Sequence, residues 1–574
     1  MMDYRRSKRQ KVVFYSLILL NVIARAYAAL YMIISDCDET FNYWEPLNLV
    51  LRGFGKETWE YSPEYAIRSY FYLMPYAIVS IPLKIARMFV EFPDYYYFYW
   101  IRSVGLCGFT SLSEIFLASK AARYVSVDVG NWFLLLSSIS TGMSHAGVAL
   151  LPSSFAMDCV SMATGYAFAA VSEHNVSDFV VSLSWFFVGG VVGWPFVLAL
   201  GVPFGLYLIA ANISSFERLA KITSGFVPRA LAVATAIALV DYCFYKRSIF
   251  VPLNIVLYNV FGDEGEGPEI FGVEPFQYYV LNLAVNFNVV ALLGYLGSVL
   301  NPIFWDKRNV ALVGITLPLL LWSFIFGSQA HKEERFLYPI YPLLLLSASL
   351  FLVMLFRSSK WTLNKVIRNR PASKLLNRFA IATFILSTAV VSVLRTVNLV
   401  ENYSSPLTVA KALADNNADP RVPINVCIGR EWYHFPTSFF LPEDHRLRFI
   451  KSGFDGLLPG DFRELPGLGG LFESARAIPF DMNNKNQFSA SKLTDFSECS
   501  YYIDNNQTTD KTSGEPDVFY DPVESQNWST VKCEKLINPD GHSGWGRLVY
   551  IPRFARQYIP YDVEYMEFCL LKRK

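Results

Sequence analysis

The sequence predicts an all-α polytopic membrane protein of about eleven transmembrane helices, followed by a C-terminal domain of mixed α/β structure. Hydrophobic residues make up 53% of the 574 residues and charged residues 17%, whereas soluble domains carry roughly 25% charged residues. Long apolar segments recur up to about residue 400, and beyond it prolines, acids, amides and glycines become frequent. The net charge of +1 argues against nucleic acid as a partner, because phosphate neutralisation needs a basic surface.

Apolar length predicts the membrane region, because a spanning helix needs about 20 mostly apolar residues. Eleven segments of this kind lie within residues 1–400, and none lies within 401–574. The segments are 12–34, 68–91, 98–120, 131–150, 152–172, 179–208, 226–246, 277–299, 309–327, 336–356 and 377–399. We therefore predict a multi-span membrane domain over 1–400 and a separate domain over 401–574.

Basic loop residues predict the orientation, because lysines and arginines of short loops stay on the cytoplasmic side. Basic residues precede the first segment (RRSKRQK, 5–11) and fill the loop after the tenth segment (357–378). An odd number of spans then places the C-terminal domain on the lumenal side. The sequons at Asn402, Asn506 and Asn527 agree with a glycosylating lumen.

The first apolar segment has two interpretations. Its basic start, short apolar core and ARAYAA sequence (24–29) are typical of a cleaved signal peptide. Its apolar stretch resumes through Ile34, which favours a retained anchor, and this is our prediction. The segment contains one charge, Arg25, which we expect to face protein or to extend to the membrane surface.

A cluster of acids follows this segment directly, in the stretch SDCDETFNYW. The polar loops predicted on the lumenal side are 35–67, 247–276 and 328–335. The first of them begins with Asp36, Asp38 and Glu39 and also carries Trp44 and Trp59. A solvated helix end explains any single acid equally well, and interfacial anchoring is the commoner role of a single aromatic residue. Together, however, carboxylates that accept from hydroxyls and aromatic faces that cover a sugar ring suit a carbohydrate substrate.

Cations dominate the third polar loop, where His331, Lys332 and Arg335 precede the tenth segment. His331 and Arg335 are four residues apart and would share one face of a helix. Such cations are most often anchors at the membrane surface, but they also bind phosphate, and a lipid-borne phosphate lies at this depth. Arg68 is a further candidate, and the two intervening acids are expected to pair with or orient the cations. The loops together predict group transfer from a lipid phosphate.

Several stretches of the chain resemble a known family, glycosyltransferase family 22, whose members are dolichyl-phosphate-mannose-dependent mannosyltransferases of the endoplasmic reticulum. The stretches that carry this resemblance are Ser35–Tyr70 and HKEERFLYPIYP (331–342). VCIGREWYHFPTSFFLP (426–442) and residues 252–283 are similar, more narrowly, to the branch that forms α-1,2 links in lipid-linked oligosaccharide assembly. The resemblance extends over about residues 12–450.

The resemblance implies a type C glycosyltransferase fold with a lumenal active site. It also implies transfer of mannose from dolichyl-phosphate mannose to an oligosaccharide on dolichyl pyrophosphate, adding the seventh and ninth mannoses. Because the donor is β-linked and the product α-linked, one displacement by the acceptor hydroxyl is the simplest route, and a carboxylate must take its proton. Phosphate leaves readily once its charge is met, so neither a metal nor another cofactor is expected.

The resemblance also assigns roles to residues of this chain. Catalysis is assigned to two acids, Asp38 as the base and Glu39 as its positioning neighbour. The donor phosphate is assigned to four cations: His331, Lys332, Arg335 and Arg68. Contacts to the acceptor or its sugars are assigned to Glu274, Trp44, Trp59 and Asp36.

Two alternatives stay open. One is another family 22 enzyme, either the α-1,6-mannosyltransferase of the same pathway or an enzyme of glycolipid-anchor assembly. The other, from a different class, is a transporter or scramblase of lipid-linked sugars, in which charges near the bilayer midplane and paired half-helices are expected.

Cysteine usage fits a domain in an oxidising compartment. Four cysteines lie in the predicted lumenal domain: Cys427, Cys499, Cys533 and Cys569. They allow three disulfide pairings, which the sequence does not distinguish. No Cys/His spacing resembles a zinc site.

Overall fold

The computed structural model describes residues 7–261, 267–306, 308–367, 369–414, 423–510, 512–542 and 544–574. Nine helices among these residues are long and apolar enough to cross a bilayer. They are Lys8–Tyr31, Tyr95–Tyr124, Pro152–Glu173, Val176–Gly193, Pro195–Asn212, Phe216–Tyr245, Arg308–Ser328, Glu334–Val366 and Arg370–Tyr403. The predicted architecture, a helical membrane region followed by a mixed α/β domain, is confirmed.

One predicted span is two helices in the structure. The segment 179–208 divides between Val176–Gly193 and Pro195–Asn212, because the backbone of Trp194 is extended (φ −129°, ψ 117°) and Pro195 starts the next helix. Proline has no N–H to donate to the preceding turn and its fixed φ suits a first helical position.

Three further predicted spans also differ. The segment 277–299 forms two helices, Gln277–Phe287 and Val289–Phe304, bent by 113° at Asn288, whose φ is 46°. The segments 68–91 and 131–150 contain only shorter helices. The shorter α-helices of the chain include Cys37–Glu39, Glu45–Arg52, Met74–Val79, Ile81–Ala86, Val127–Ile139, Thr141–Ala146, Val251–Phe261, Ser405–Ala414, Gly467–Ser474 and Glu524–Asn527.

The chain divides into two compact units. The first contains Met1–Ala29, Leu106–Ala236 and Gly272–Arg395, and the second contains Leu30–Gly105, Ile237–Phe271 and Thr396–Lys574. The first polar loop (35–67) therefore shares a unit with the C-terminal residues. Part of the loop 247–276, residues 262–266, lies outside the described residues.

Helices of the first unit approach closely through glycines and a buried ion pair. A Cβ atom at Gly294 would lie 2.5 Å from Leu344 Cδ1, so the helix Val289–Phe304 packs tightly on Tyr341–Val366, as small residues permit. Arg25 pairs with Glu114 over 2.8 Å, with both side chains fully buried. The expectation that Arg25 faces protein is therefore confirmed, because Glu114 of the same unit pairs with it.

Seven strands occur among the described residues, and all lie in the second unit: β1 (Lys56–Glu57), β2 (Ile424–Ile428), β3 (His445–Phe449), β4 (Gly460–Asp461), β5 (Tyr501–Asn505), β6 (Trp528–Ile537) and β7 (Tyr565–Arg573). Five of them form a sheet in the order β3-β2-β5-β7-β6. β2 is parallel to β3 and β5, and β7 is antiparallel to β5 and β6. Strands β1 and β4 form a separate antiparallel pair.

Two disulfides join strands of this sheet or the segments beside them. Cys427 bonds to Cys499, and Cys533 bonds to Cys569. The structure thereby selects one of the three pairings that the sequence allowed. Asn402, the first predicted sequon, is 1% exposed, and its Nδ2 donates to Tyr561 Oη over 3.0 Å. Its amide is therefore enclosed rather than presented for glycosylation.

Candidate active site

The acidic stretch forms the start of one helical run over residues 37–52. Asp36 caps it, since its carboxylate accepts from the backbone N–H of Asp38 over 2.9 Å, which is a common role for aspartate before a first turn. The run ends at Gly53, which has a φ of 84°. Asp38 and Glu39 are therefore held on rigid backbone shortly after the apolar helix Lys8–Tyr31.

Asp38 and Glu39 have different surroundings, although they are adjacent. Glu39 is 3% exposed, and its Oε1 accepts from Trp44 Nε1 over 2.9 Å. It also interacts electrostatically with the guanidinium of Arg102. Asp38 is half-buried, so its carboxylate is the more accessible of the two to a substrate.

Arg68, one of the cations assigned to the donor phosphate, lies in the same unit as the acid pair. Its guanidinium donates to both carboxylate oxygens of Glu60, over 3.0 and 2.7 Å, and lies 5.7 Å from the ring centre of Tyr43. Burial alone would lower the pKa of Arg68, but attraction to Glu60, with smaller contributions from Tyr43 and Asp38, raises it overall. The guanidinium of Arg68 and the carboxylate of Asp38 therefore attract each other.

The two tryptophans assigned to sugar lie inside the protein. Trp44 is 0% exposed, and its ring packs on Phe98 and Phe439 at centroid distances of 4.8 and 6.1 Å. Trp59 is 8% exposed and contacts Tyr258 at 5.1 Å. In this structure Trp44 offers no face to a sugar, and we assign it to packing and to the bond with Glu39.

One buried acid of this loop was missed by sequence reasoning. Glu45 accepts from Ser438 N over 2.6 Å, from Ser438 Oγ over 2.7 Å and from Lys56 N over 3.0 Å. It thereby fixes the helical run to the segment after β2. A Cβ atom at Gly55 would lie 2.7 Å from the Glu45 carbonyl oxygen, so the loop can close over this acid only because residue 55 is glycine. The sequence contained a weak indication of this contact, because the stretches that contain Glu45 and Ser438 both carry the family resemblance.

The cations of the third loop lie in the first unit and are organised by an acid. Glu333 accepts from His331 Nε2 over 2.8 Å and pairs with Arg335, so the expectation that an intervening acid pairs with them is met. The prediction that His331 and Arg335 share one face of a helix is wrong, because the helical turn begins only at Glu334. Burial alone would lower the pKa of His331, but hydrogen bonds to Glu333 and to the Gly272 carbonyl raise it.

Lys332 and Glu274 meet through the backbone rather than through a charge pair. Lys332 Nζ donates to the Glu274 carbonyl oxygen over 2.8 Å and to that of Gln329. Glu274 N in turn donates to the Ala330 carbonyl over 3.1 Å. The side chain of Glu274 is exposed, whereas Lys332 is 7% exposed. In this arrangement Lys332 holds two loop segments together, and Glu274 remains accessible to a ligand.

Two groups of described residues in the second unit have donor atoms close enough together to hold a metal. Ligand atoms of Asp36, Cys37 and Asp38 lie within 4.8 Å of one another. Carboxylate oxygens suit Mg²⁺ or Mn²⁺, and thiolate suits softer ions. A second group contains Cys533 and Cys569, which are already joined in a disulfide and supply no thiolate.

The second unit thus holds a partly exposed carboxylate, Asp38, and the first unit holds the cations His331 and Arg335, which are paired with Glu333. The model of the Alg9-like mannosyltransferase family matches residues 16–442. The chain is 38% identical to "Alpha-1,2-mannosyltransferase ALG9" of Saccharomyces cerevisiae, over 98% of both chains. It is 33% identical to the protein of that name in Homo sapiens, over 94% of this chain and 86% of that one. The chain belongs to the Alg9-like mannosyltransferase family, and the resemblance to glycosyltransferase family 22 is confirmed.

A solved structure also resembles this one. It is ArnT from Cupriavidus metallidurans bound to undecaprenyl phosphate, with a TM-score of 0.49 and 11% identity, over 83% of this chain and 90% of that chain.

Proposed function

We propose that the protein is an inverting α-1,2-mannosyltransferase of lipid-linked oligosaccharide assembly. Its donor is dolichyl-phosphate mannose, and its acceptors are the dolichyl-pyrophosphate-linked oligosaccharides that receive the seventh and ninth mannoses. The reaction takes place on the lumenal side of the endoplasmic reticulum membrane. The observation that carries the proposal is the half-buried Asp38, close in sequence to the end of a membrane helix, beside an enclosed Glu39. The names of the relatives support the α-1,2 link.

In the proposed reaction the acceptor hydroxyl loses its proton to the carboxylate of Asp38 as its oxygen attacks the anomeric carbon of mannose. The bond from that carbon to the phosphate oxygen breaks, and dolichyl phosphate leaves with the bonding electrons. Positive charge develops on the sugar ring, as it does in glycoside cleavage. One displacement inverts the anomeric configuration, so a β-linked donor gives an α-linked product.

The donor phosphate is assigned to cations of the third loop. His331 and Arg335 are both fixed by Glu333, so they need little reorganisation when an anion binds, and fixed cations lower the energy of a leaving phosphate most effectively. Arginine matches phosphate with a planar fork of donors. With the leaving group stabilised in this way, the reaction needs no general acid and no metal.

The test is mannose transfer by the purified protein in detergent. A short-chain dolichyl-phosphate mannose serves as donor, and synthetic six-mannose and eight-mannose lipids serve as acceptors. Extension of both acceptors by the wild-type protein in the presence of a chelator is expected. Loss of activity with chelator would instead point to a metal at Asp36, Cys37 and Asp38.

Further acceptors in this assay, together with a flux assay in a reconstituted bilayer, separate the alternatives. Failure to extend either acceptor, combined with extension of glycolipid-anchor or α-1,6 acceptors, would move the protein to another branch of the family. Movement of sugar lipid across a reconstituted bilayer without any mannose transfer would favour the transporter or scramblase.

A further inference from the structure

The segment GREWYHF (429–435) carries part of the family resemblance, yet the chemistry described so far gives it no role. In the structure it forms one wall of an open cleft of about 500 Å³ within the second unit. The cleft is lined by the aromatic residues Trp432, Tyr433 and Phe454 and by polar residues that include Asp510, Ser513 and Glu515. The cleft is therefore a feature of the C-terminal part of the chain, with its own set of side chains.

Buried polar contacts build one side of this cleft. Arg430 donates from Nε to Asp504 Oδ1 over 2.9 Å, and from Nη2 to the carbonyl oxygens of Asn505 and Gln507 over 3.0 and 2.8 Å. The carboxylate of Asp504 is 1% exposed. Arg430 N also donates to Glu515 Oε1 over 2.9 Å. These bonds fix the loop after β5 and hold Glu515 in place before any ligand binds.

The charges of the cleft favour a neutral, hydroxyl-rich ligand over a phosphate. Arg430 is the only cation among the described lining residues, and its guanidinium is already committed to Asp504 and to carbonyl oxygens. The remaining charged lining groups are the carboxylates of Asp510 and Glu515, which accept from hydroxyls and repel anions. The donor lipid, with its charged phosphate, is thus a poor occupant.

The aromatic side chains complete the features of a carbohydrate site. The ring of Trp432 lies 4.8 Å from that of Phe454, and Tyr433 is 43% exposed. Aromatic rings supply rigid apolar surface at low cost in conformational entropy, and one face of a pyranose ring presents C–H groups that pack on such a surface. Ligand sites commonly combine apolar walls with a few fixed polar groups of this kind.

The cleft is joined to the acidic helical run within the same unit. The ring of Phe41 lies 5.8 Å from that of Trp432, and Phe41 follows Asp38 by three positions on that run. An extended oligosaccharide held by the cleft would therefore be bound by the unit that also carries the proposed base.

We propose that this cleft is a carbohydrate subsite that holds a mannose of the acceptor, away from the mannose that reacts. This inference rests on the proposed function and extends it to acceptor recognition. The decisive variant is Tyr433→Ala, because the side chain is exposed and its removal leaves the buried contacts of Arg430 intact. Asp510→Asn removes a lining charge and keeps a side-chain oxygen for the N–H of Thr512, to which Asp510 Oδ1 is bonded over 2.8 Å. Tyr558→Ala, at a tyrosine that is 80% exposed, is the matched control.

The first measurement is the KM for the lipid-linked acceptor at saturating donor. We expect Tyr433→Ala to raise it about tenfold, and Asp510→Asn to raise it less, with kcat and the donor KM within about twofold of wild type. A raised KM with an unchanged kcat indicates that the substitution removes binding energy that the ground state and the transition state share. Tyr558→Ala should match the wild type. An unchanged acceptor KM in an active Tyr433→Ala protein would overturn the subsite.

The second measurement does not depend on activity. Binding of α-1,2-mannobiose and of a soluble mannose-rich oligosaccharide to the full-length protein is followed by saturation-transfer NMR in detergent. Binding by the wild type and by Tyr558→Ala, but not by Tyr433→Ala, supports the subsite even if no transfer is detected and the proposed function has failed. Equal signals from all three proteins, or none from the wild type, would overturn it.

Discussion

Trp44 Nε1 donates to Glu39 Oε1 over 2.9 Å, and the two side chains are 0% and 3% exposed, respectively. This bond commits the second acid of the pair to the interior of the helical run. Asp38, one position earlier, is half-buried and interacts with the charge of Arg68. The surroundings thus separate the two adjacent carboxylates, with Glu39 enclosed beside Trp44 and Asp38 partly exposed.

The first prediction follows from that separation. Asp38→Asn should lower kcat by about 10²–10⁴, the usual contribution of a general base, without a change in the unfolding temperature. Glu39→Ala should instead lower stability by about 1–3 kcal/mol, because the indole N–H of Trp44 is left buried without its acceptor. Steady-state transfer rates and thermal unfolding by intrinsic fluorescence check both. Glu64→Gln, at an exposed acid of the same loop, serves as control. An active Asp38→Asn protein beside an inactive but folded Glu39→Gln protein would reverse the assignment.

The length of the apolar segments predicted most of the long helices. It failed where a single residue, such as Trp194 or Asn288, interrupts a helix. Apolar length over about 20 residues is a strong signal, and the long helices at both ends of the membrane region match it. The predicted span 179–208 concealed a break of one extended residue, Trp194, which composition does not reveal. The bend at Asn288 was hidden for the same reason, since a single residue with positive φ leaves the surrounding hydropathy unchanged.

The candidate site was predicted by residue type but not by surroundings. Acids and cations were identified from the sequence, whereas the burial of Trp44 was not, because an aromatic residue in a polar loop reads equally as an anchor or a core residue. The bond between Glu45 and Ser438 joins positions 393 residues apart. Helix and strand periodicities describe neighbours along the chain only, so a contact of this range cannot be derived from one sequence.

The second prediction concerns the pH dependence of donor binding. The pKa of His331 is raised because its hydrogen bonds to Glu333 and to the Gly272 carbonyl outweigh burial, so the ring stays protonated to a higher pH than an ordinary histidine. If His331 binds the donor phosphate, the donor KM should be lowest at low pH and rise as the pH increases through that pKa. His331→Asn, which does not titrate, should raise the KM at low pH and flatten the profile between about pH 5 and about pH 8.

Glu333→Gln provides the partner experiment. It weakens the bond that raises the pKa of His331, so the rise in donor KM should begin at a lower pH than in the wild type. The acceptor KM, measured in parallel, should keep its pH profile in both variants. A donor KM in the wild type that does not vary with pH would contradict the assignment of His331 to the phosphate.

The third prediction tests the contact between the helical run and the segment after β2. Ser438→Ala removes one hydroxyl bond to Glu45 and should cost about 1 kcal/mol. Glu45→Ala leaves the N–H groups of Ser438 and Lys56 buried without this acceptor and should cost more, about 2–5 kcal/mol. Because Glu45 and Ser438 are in contact, the double variant should lose less free energy of unfolding than the two single variants lose together. Additive effects in thermal unfolding would show that the two residues act independently.

The fourth prediction concerns a buried acid in β1. Glu57 is 0% exposed, and among the described residues neither of its carboxylate oxygens has a hydrogen-bond partner. Burial raises its pKa well above the usual range, opposed only by the charge of Lys492. The folded protein therefore holds this proton to a higher pH than the unfolded chain does. The contribution of the protonated Glu57 to stability is fully present below the pKa of about 4.3 that glutamate has in the unfolded chain. It is lost as the pH rises through the higher pKa of Glu57 in the folded protein.

Glutamine has nearly the same shape as glutamate and cannot ionise, so Glu57→Gln should remove the loss of stability at high pH. At pH 8 we expect the variant to unfold at a temperature higher than the wild type by about 2–4 °C, the shift that ~1 kcal/mol produces in domains of 150–250 residues. The difference should shrink as the pH falls towards the unfolded pKa. Glu64→Gln, at an exposed acid of the same loop, should leave the unfolding temperature unchanged throughout. A Glu57→Gln protein that unfolds at a lower temperature than the wild type at pH 8 would contradict the prediction.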